Sequence, residues 1–314
     1  MPDPWRNRQV GSGTDAVSTV FLVNPASSGG TTGRRWPELA RRAAALGLEG
    51  DALFSEQPEH LRELAAEAAQ HADLVVAVGG DGTVNEVASG IVGSGAELAV
   101  IPRGTGVDFV RTYGIPSKLD DAVEVALRGT TRAIDAGRVG YRAWSGEPGE
   151  AWFFNVAGVG MSGAVAKRTN ESSKALGGKA SYLWSTLAVF ARWRNTEVQV
   201  AVDEETRAGR MHEVVVANGR YLGGGMMLTP EAEPDDGLFD VLLIGDITKA
   251  DLVKTMPKVY RGTHLPHPKA ELLRGAAVSV DSEVALPVQL DGEQPGTTPV
   301  RFELVPKALR LRVP

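Results

Sequence analysis

A chain of 314 residues, 43% of them hydrophobic, can bury a full core and is long enough for two domains. It has no cysteine, which excludes disulfides, thiolate metal sites and a cysteine nucleophile, and its five histidines lack the clustered spacing of a zinc site. A net charge of -6, from 33 Lys+Arg against 39 Asp+Glu, argues against a general nucleic-acid binder.

Residues 1–17 read as a disordered lead-in without the apolar run of a signal peptide. No segment approaches the roughly 18 apolar residues of a membrane span, so a cytoplasmic protein is expected. STVFLVN (18–24) is a β-branched apolar run that ends in the polar loop PASSGGTTG. RRWPELARRAAALG (34–47) has helical apolar spacing with Gly47 as its stop. GDALFSE (50–56) is a short strand, and EHLRELAAEAAQ (59–70) a helix behind Pro58. DLVVAVGG (73–80) is a continuous apolar strand, of the kind buried on both faces of a parallel sheet. VNEVASGIV is the next helix, ELAVIP (97–102) the next strand and LDDAVEVALRG (119–129) a further helix. This alternation predicts a doubly wound α/β domain over 18–137.

After TRAIDAGRV (131–139) the rhythm changes. AWFFNVAGVG, EVQVAVDEE, MHEVVVANG, FDVLLIGD, AAVSVDS, PVQLDGE, VRFELV and ALRLRV are short strands between Gly/Pro-rich turns, with helical stretches near 179–194 and 249–260. An antiparallel β-sandwich over 138–314 is expected; whether the last strand, about 304–314, returns to the first domain is open. Two stretches are locally basic. Residues 162–194 carry Lys167, Arg168, Lys174, Lys179, Arg192 and Arg194 against Glu171, and 249–274 carry Lys249, Lys254, Lys258, Arg261, Lys269 and Arg274 against Asp251 and Glu271. They are either solvated helix faces or a surface aimed at phosphate or lipid headgroups.

In an open parallel sheet ligands gather at the carboxyl ends of the strands, where loops and helix N-termini offer free backbone N–H groups. Three strand ends are equipped for that: Asn24-Pro25 with Ser27, Ser28, Gly29 and Gly30; Gly79-Gly80-Asp81-Gly82-Thr83; and Pro102-Arg103-Gly104-Thr105 with Asp108. Small, hydroxylated and glycine-rich loops in three consecutive units point to a polyphosphate. Neither a GxxxxGK[ST] P-loop nor a GxGxxG fingerprint with its later acid is present.

GGDGTVNEV (79–87), with an upstream Asn-Pro and a downstream P-x-GT-x-x-DF-x-R, resembles the soluble bacterial lipid kinases of the diacylglycerol and sphingosine kinase catalytic-domain family. The likeness runs from Asn24 to Glu293 and includes EAEPDDGLFDV (231–241) and VQLDGE (288–293). GGDGT alone also occurs in NAD kinases, so the two late motifs and Asp108-Phe109 carry the distinction. The resemblance implies ATP across Asn24, Pro25, Ala26, Ser27, Ser28, Ser55, Gly79, Gly80, Asp81, Gly82, Thr83, Val84, Asn85, Glu86, Gly104, Thr105 and Asp108. It implies Mg²⁺ organised by Asp81, Asp108 and Asp135, whose even spacing along the chain suits one sheet edge. It also implies a second, structural metal at Glu233, Asp236 and Leu238, where a plain Asp-Gly turn is the alternative. Glu293 is the implied proton acceptor, supported by Asp291 and with Asp81 as a further catalytic carboxylate.

One departure stands out. Val107 occupies the place of the asparagine usual in Gly-Thr-x-Asn-Asp-Phe. The acceptor implied is a membrane lipid such as diacylglycerol or a sphingoid base. YLWSTLAVFARW (182–193) could rim an acyl groove or be a core helix. Peripheral attachment to an anionic membrane at its inner face follows, and a homodimer is compatible. The other readings are an NAD kinase-like enzyme with a soluble acceptor and a nucleotide- or lipid-binding sensor without turnover. The basic aromatic segment and the 235–241 stretch weigh against the first, and the full set of carboxylates against the second.

Overall fold

A computed structural model describes residues 18–104, 106–172, 186 and 188–314. The expected lead-in 1–17, Thr105 and residues 182–185 and 187 of the aromatic segment 182–193 lie outside the described residues.

In the first half, β1 (Thr19–Val23), β2 (Asp51–Phe54), β3 (Leu74–Gly79) and β4 (Glu97–Pro102) pair in parallel in the order β4-β3-β1-β2. Between them run α1 (Ser27–Ala45), α2 (His60–Ala68) and α3 (Asp81–Ile91), followed by α4 (Asp108–Thr112) and α5 (Leu119–Arg128). Strand side chains alternate between faces. Val20, Leu22, Val75, Ala77, Leu98 and Val100 pack with Leu61 and Ala65 of α2 and Val84, Val87 and Ala88 of α3. Phe21, Val23, Val76, Val78, Ala99 and Ile101 pack with Ala43 of α1 and Val123 and Ala126 of α5. Burial on both faces is why these strands read as unbroken apolar runs. The sheet is doubly wound, as expected. The short α4 is unexpected: five residues carry too little periodicity to announce a helix.

The second half contains β5 (Thr130–Ala143), β6 (Pro148–Phe153), β7 (Val156–Gly160), α6 (Met161–Ser172), β8 (Thr196–Val202) and β9 (Glu205–Ala217). It continues with β10 (Tyr221–Leu222), β11 (Met226–Met227), β12 (Phe239–Gly245), α7 (Lys249–Val259), β13 (Ala270–Gly275), β14 (Ala277–Asp281), β15 (Pro287–Leu290) and β16 (Glu293–Val313). It is antiparallel and β-rich, and the two faces of its core close into a ring. β8 pairs with β14, β14 with β16, β16 with β15, β15 with β7, β7 with β9, and β9 with β8. Phe153, Phe239, Phe302, Val200, Val216 and Val288 fill its interior. Such closure leaves these six strands without a free edge.

AWFFNVAGVG divides at Phe154–Asn155 into β6 and β7. VRFELV and ALRLRV form one strand, with a register shift between Val305 and Leu309 around Lys307 at φ 52°. The far end of β16 lies against the first sheet: Arg310 and Leu311 pair in parallel with Glu97 and Leu98 of β4, and Leu309 and Leu311 belong to the first core. β5 backs β16 along most of its length, so residue 137 falls within a continuous strand. Of the helix expected near 179–194, residues 186 and 188–192 are described and helical.

Candidate active site

The three glycine-rich loops meet at one end of the first sheet and face the β half across a cleft of ≈ 1020 Å³. From the first loop come Asn24, Ser27, Ser28 and Gly29; from the second, Gly80 to Glu86; from the third, Arg103, Gly104, Gly106 and Asp108. The opposite wall carries Asn155, Ser162, Leu222, Gln289, Asp291 and Glu293 among others.

The glycines are needed first for the protein's own contacts. A Cβ on Gly79 would sit 2.2 Å from Thr83 Oγ1, and one on Gly104 2.6 Å from Gly80 Cα. One on Gly106 would sit 2.5 Å from Asp81 Oδ2. The second and third loops are thus pressed backbone to backbone. Asn24 ties the first loop to them by donating from Nδ2 to Thr83 Oγ1 at 3.1 Å. Ser28, Gly29 and Gly30 follow at φ 52°, 65° and 78°, three successive left-handed residues ahead of the regular part of α1. A turn of that kind aims consecutive amides at an anion.

Asp81 begins α3 and accepts from the backbone N–H groups of Asp108 (3.2 Å) and Phe109 (3.1 Å), fixing the start of α4. Burial pushes its carboxyl above the usual range against those amides. Asp108 is almost fully enclosed. Its Oδ2 accepts from Gly224 N–H at 2.7 Å, while Oδ1 has no hydrogen-bond partner among the described residues. The nearest cation, Arg111 Nη1, is 3.6 Å away, beyond hydrogen-bond reach. Burial, helped by the charge of Asp81, pushes Asp108 up to about 6. On the same side Arg103 lines the cleft with a buried Nε that has no hydrogen-bond partner among the described residues. An orphan carboxylate oxygen and an orphan guanidinium nitrogen on one cleft fit a divalent cation and a phosphate respectively.

Glu293 opens β16 on the other wall. A Cβ on Gly82 would lie 3.7 Å from its Oε1, so it stands over the first turn of α3 with only a hydrogen between. Asp291, two residues earlier at φ 48°, is saturated. It accepts from Phe154 N–H (2.8 Å), Asn155 N–H (3.0 Å), Val156 N–H (2.9 Å) and Asn85 Nδ2 (2.9 Å). Burial pushes it up, and the four donors oppose that. Its carboxylate knots α3, the β6–β7 break and the turn before Glu293 together, a positioning role rather than a proton acceptor's. Asn85 is engaged in the same knot and also donates to Trp152 O at 3.2 Å. Glu86 lines the cleft while its Oε2 accepts from Leu61 N–H at 3.3 Å, so it caps α2 from outside. Val84 lines the cleft and also belongs to the first core.

Several expected site residues are elsewhere. Asp135 does not join Asp81 and Asp108. It is fully buried, with Oδ1 accepting from Lys307 N–H and Oδ2 from Gly237 N–H, both at 2.8 Å. Equal spacing in sequence therefore did not bring it to the shared edge: it lies midway along β5 and pins β16 and the 235–238 turn. No group of three or more His, Asp or Glu forms a metal cluster among the described residues. The stretch at Glu233, Asp236 and Leu238 is a turn closed by arginines. Asp236 accepts from Leu238 N–H at 3.0 Å and pairs with Arg274, while Asp235 pairs with Arg132 at 2.6 Å. With Arg274 already on the carboxylate, these residues present no ready structural metal site. Ser55, whose N–H donates to Val23 O at 3.0 Å, and Pro25, packed on Gly33, are not among the cleft-lining residues. Arg103 was named from the sequence only as part of the third loop, and Ser162, Gln289 and the Leu222–Gly224 loop were not singled out there. The run Gly223-Gly224-Gly225 was a usable signal for the last of these.

Residues 18–139 match the diacylglycerol kinase catalytic domain family. Residues 155–313 match the YegS C-terminal NAD kinase beta sandwich-like domain family. A protein named diacylglycerol kinase from Staphylococcus saprophyticus is 27% identical over 285 residues, covering 90% of each chain. One of the same name from Staphylococcus aureus strain Newman is 28% identical over 286 residues, covering 90% of this chain and 88% of its own. Two crystal structures of Bacillus anthracis str. Sterne proteins carrying that name overlay with TM-scores of 0.78 and 0.71 at 22% and 21% identity. They cover 98% and 96% of this chain and 99% and 98% of their own, and at that identity they speak for the fold alone.

Proposed function

Because this chain belongs to the diacylglycerol kinase family, and so is a lipid kinase that phosphorylates an alcohol, we propose that it transfers the γ-phosphate of ATP to the hydroxyl of a membrane lipid such as diacylglycerol or a sphingoid base. The observation that carries this reading is the orphan Oδ1 of Asp108, a buried carboxylate oxygen in a cleft whose other wall presents Glu293. The left-handed turn at Ser28–Gly30, the amides opening α3 and the Arg103 side chain receive the triphosphate. Asp108 would hold Mg²⁺ through Oδ1, with Asp81 setting the loop that carries it, in keeping with the few protein carboxylates this ion takes. When bound, the ion neutralises phosphate charge.

The substrate hydroxyl oxygen attacks phosphorus, the bond to the bridging oxygen of ADP breaks, and Glu293 accepts the hydroxyl proton. Alignment and charge neutralisation supply most of the rate, so the protein needs no covalent step. Peripheral attachment at the inner face of the membrane fits α7, which carries Lys249, Lys254 and Lys258 beside the exposed Val253 and Tyr260.

The test is transfer from γ-labelled ATP with Mg²⁺ to mixed micelles of diacylglycerol, sphingosine, ceramide and monoacylglycerol, with NAD in a parallel reaction. Label in a lipid is the expected result. Label in NAD alone would overturn the proposal.

A further inference from the structure

A second carboxylate lies behind the β wall of the cleft and has no part in the scheme above. Glu213 of β9 is buried, and no ion pair reaches it among the described residues. Its carboxylate accepts instead at the first turn of α6: from Ser162 Oγ at 2.5 Å, from Ser162 N–H at 2.8 Å and from Met161 N–H. Gly158 of β7 makes the room. A Cβ there would sit 2.2 Å from Ser162 Oγ, 2.7 Å from Glu213 Oε1 and 3.1 Å from Gln289 Nε2. Ser162 and Gln289 face the cleft, on the strand and helix that flank the turn leading to Glu293.

A helix start needs only a neutral acceptor, and a carboxylate buried without a cation is a costly way to supply one. Burial pushes Glu213 up to about 7 despite its three donors. What the carboxylate adds is direction. Above about pH 7 Glu213 is ionised and can only accept, so there the Ser162 hydroxyl gives its proton to Glu213. The Oγ then shows the cleft lone pairs alone. Gln289 is fixed likewise: Oε1 accepts from Gly292 N–H at 2.8 Å and Nε2 donates to Val156 O at 3.3 Å.

We propose that Ser162, set by Glu213, reads a hydrogen-bond donor on the acceptor lipid, a free hydroxyl or N–H additional to the hydroxyl that is phosphorylated. Ser162 is the contact and Glu213 a positioning residue. This rests on the lipid kinase reading and narrows its acceptor: monoacylglycerols and sphingoid bases offer such a donor, whereas the remaining polar groups of diacylglycerol are esters that can only accept.

The experiment compares a monoacylglycerol with the monoester of 1,3-propanediol bearing the same acyl chain, which differs only in lacking the secondary hydroxyl. Both are assayed in mixed micelles with ATP and Mg²⁺, and their binding to the protein is read in parallel by tryptophan fluorescence. Wild-type protein should favour the monoacylglycerol about tenfold in kcat/KM, the worth of one good hydrogen bond, with the difference in KM. Ser162→Ala should bring the ratio to about one, Glu213→Gln should lower it, and Ser162→Thr, which keeps the hydroxyl, should retain it. Thermal midpoints and the KM for ATP separate a lost contact from a lost fold. A wild-type ratio near one, or a tenfold ratio that survives in a folded Ser162→Ala protein, overturns the proposal. If neither lipid is phosphorylated the lipid kinase reading fails, and the binding ratio then decides the role of Ser162 by the same criterion.

Discussion

Asp108 sits in an electrostatic conflict: enclosed, beside Asp81, with one oxygen unpartnered and its pKa pushed from the ordinary 3.8 to about 6. A carboxyl that holds its proton more tightly when folded makes the protein less stable as pH rises through the interval between those values. By the usual conversion the penalty above pH 6 is about 3 kcal/mol. Asp108→Asn, which can still accept from Gly224 N–H, should therefore stabilise the metal-free protein by about 2 kcal/mol at pH 8 and little at pH 4, measured by denaturant unfolding. The same change should abolish turnover, because the site would lose its charge. Wild-type turnover should rise with pH along an acid limb near 6, as Asp108 ionises, and magnesium should move that limb lower by favouring the ionised form. At this scale the place of Asp81, Asp108 and Glu293 on the cleft was legible, from Asp81 between two glycines on a strand-to-helix turn and from the Asp108-Phe109 and Asp-Gly-Glu motifs. Asp135 and Asp291 were not. Both carboxylates are taken up by backbone N–H groups brought in from distant strands, and no local pattern records that.

Between residues and the whole, the element that decides the site is the loop from β4 to α4. Val107 caps α4 at φ 52° and ψ 31°, a left-handed conformation that a β-branched side chain resists and asparagine tolerates. The asparagine usual at this position in the family is thus explained by backbone geometry. Val107→Asn should stabilise the protein by about 1 kcal/mol with turnover retained, read from thermal unfolding and the transfer assay. Gly104→Ala should do the reverse: its Cβ would sit 2.6 Å from Gly80 Cα, prising apart the two loops. We expect the KM for ATP to rise at least tenfold, as positioning at the phosphates is lost. Strands buried on both faces and helices with strong periodicity were readable in the sequence. The β6–β7 break, α4 and α6 were not, because each is set by hydrogen bonds from elsewhere rather than by its own pattern.

Across the whole molecule, β16 joins the two halves. It begins with Glu293 over the cleft, crosses the β ring, and ends by pairing with β4, where Glu97 receives both Arg310 and Arg312. Leu311, fully buried in the first core though it belongs to the last strand, couples the stability of the α/β half to the chain end. Leu311→Ala should cost about 2–5 kcal/mol, seen as faster amide exchange in β3 and β4 as well as in β16. Short strand patterns show that ALRLRV is extended; they do not contain its partner, which is why its destination was open.

In the proposed transfer Glu293 is the proton acceptor. Single-turnover and steady-state transfer by Glu293→Gln tests it most directly. We expect a loss of about a hundredfold or more in the chemical step with the KM for ATP changed little, as befits a group acting only in the transition state. A variant that transfers phosphate at the wild-type rate would contradict it and move the proton acceptor off Glu293.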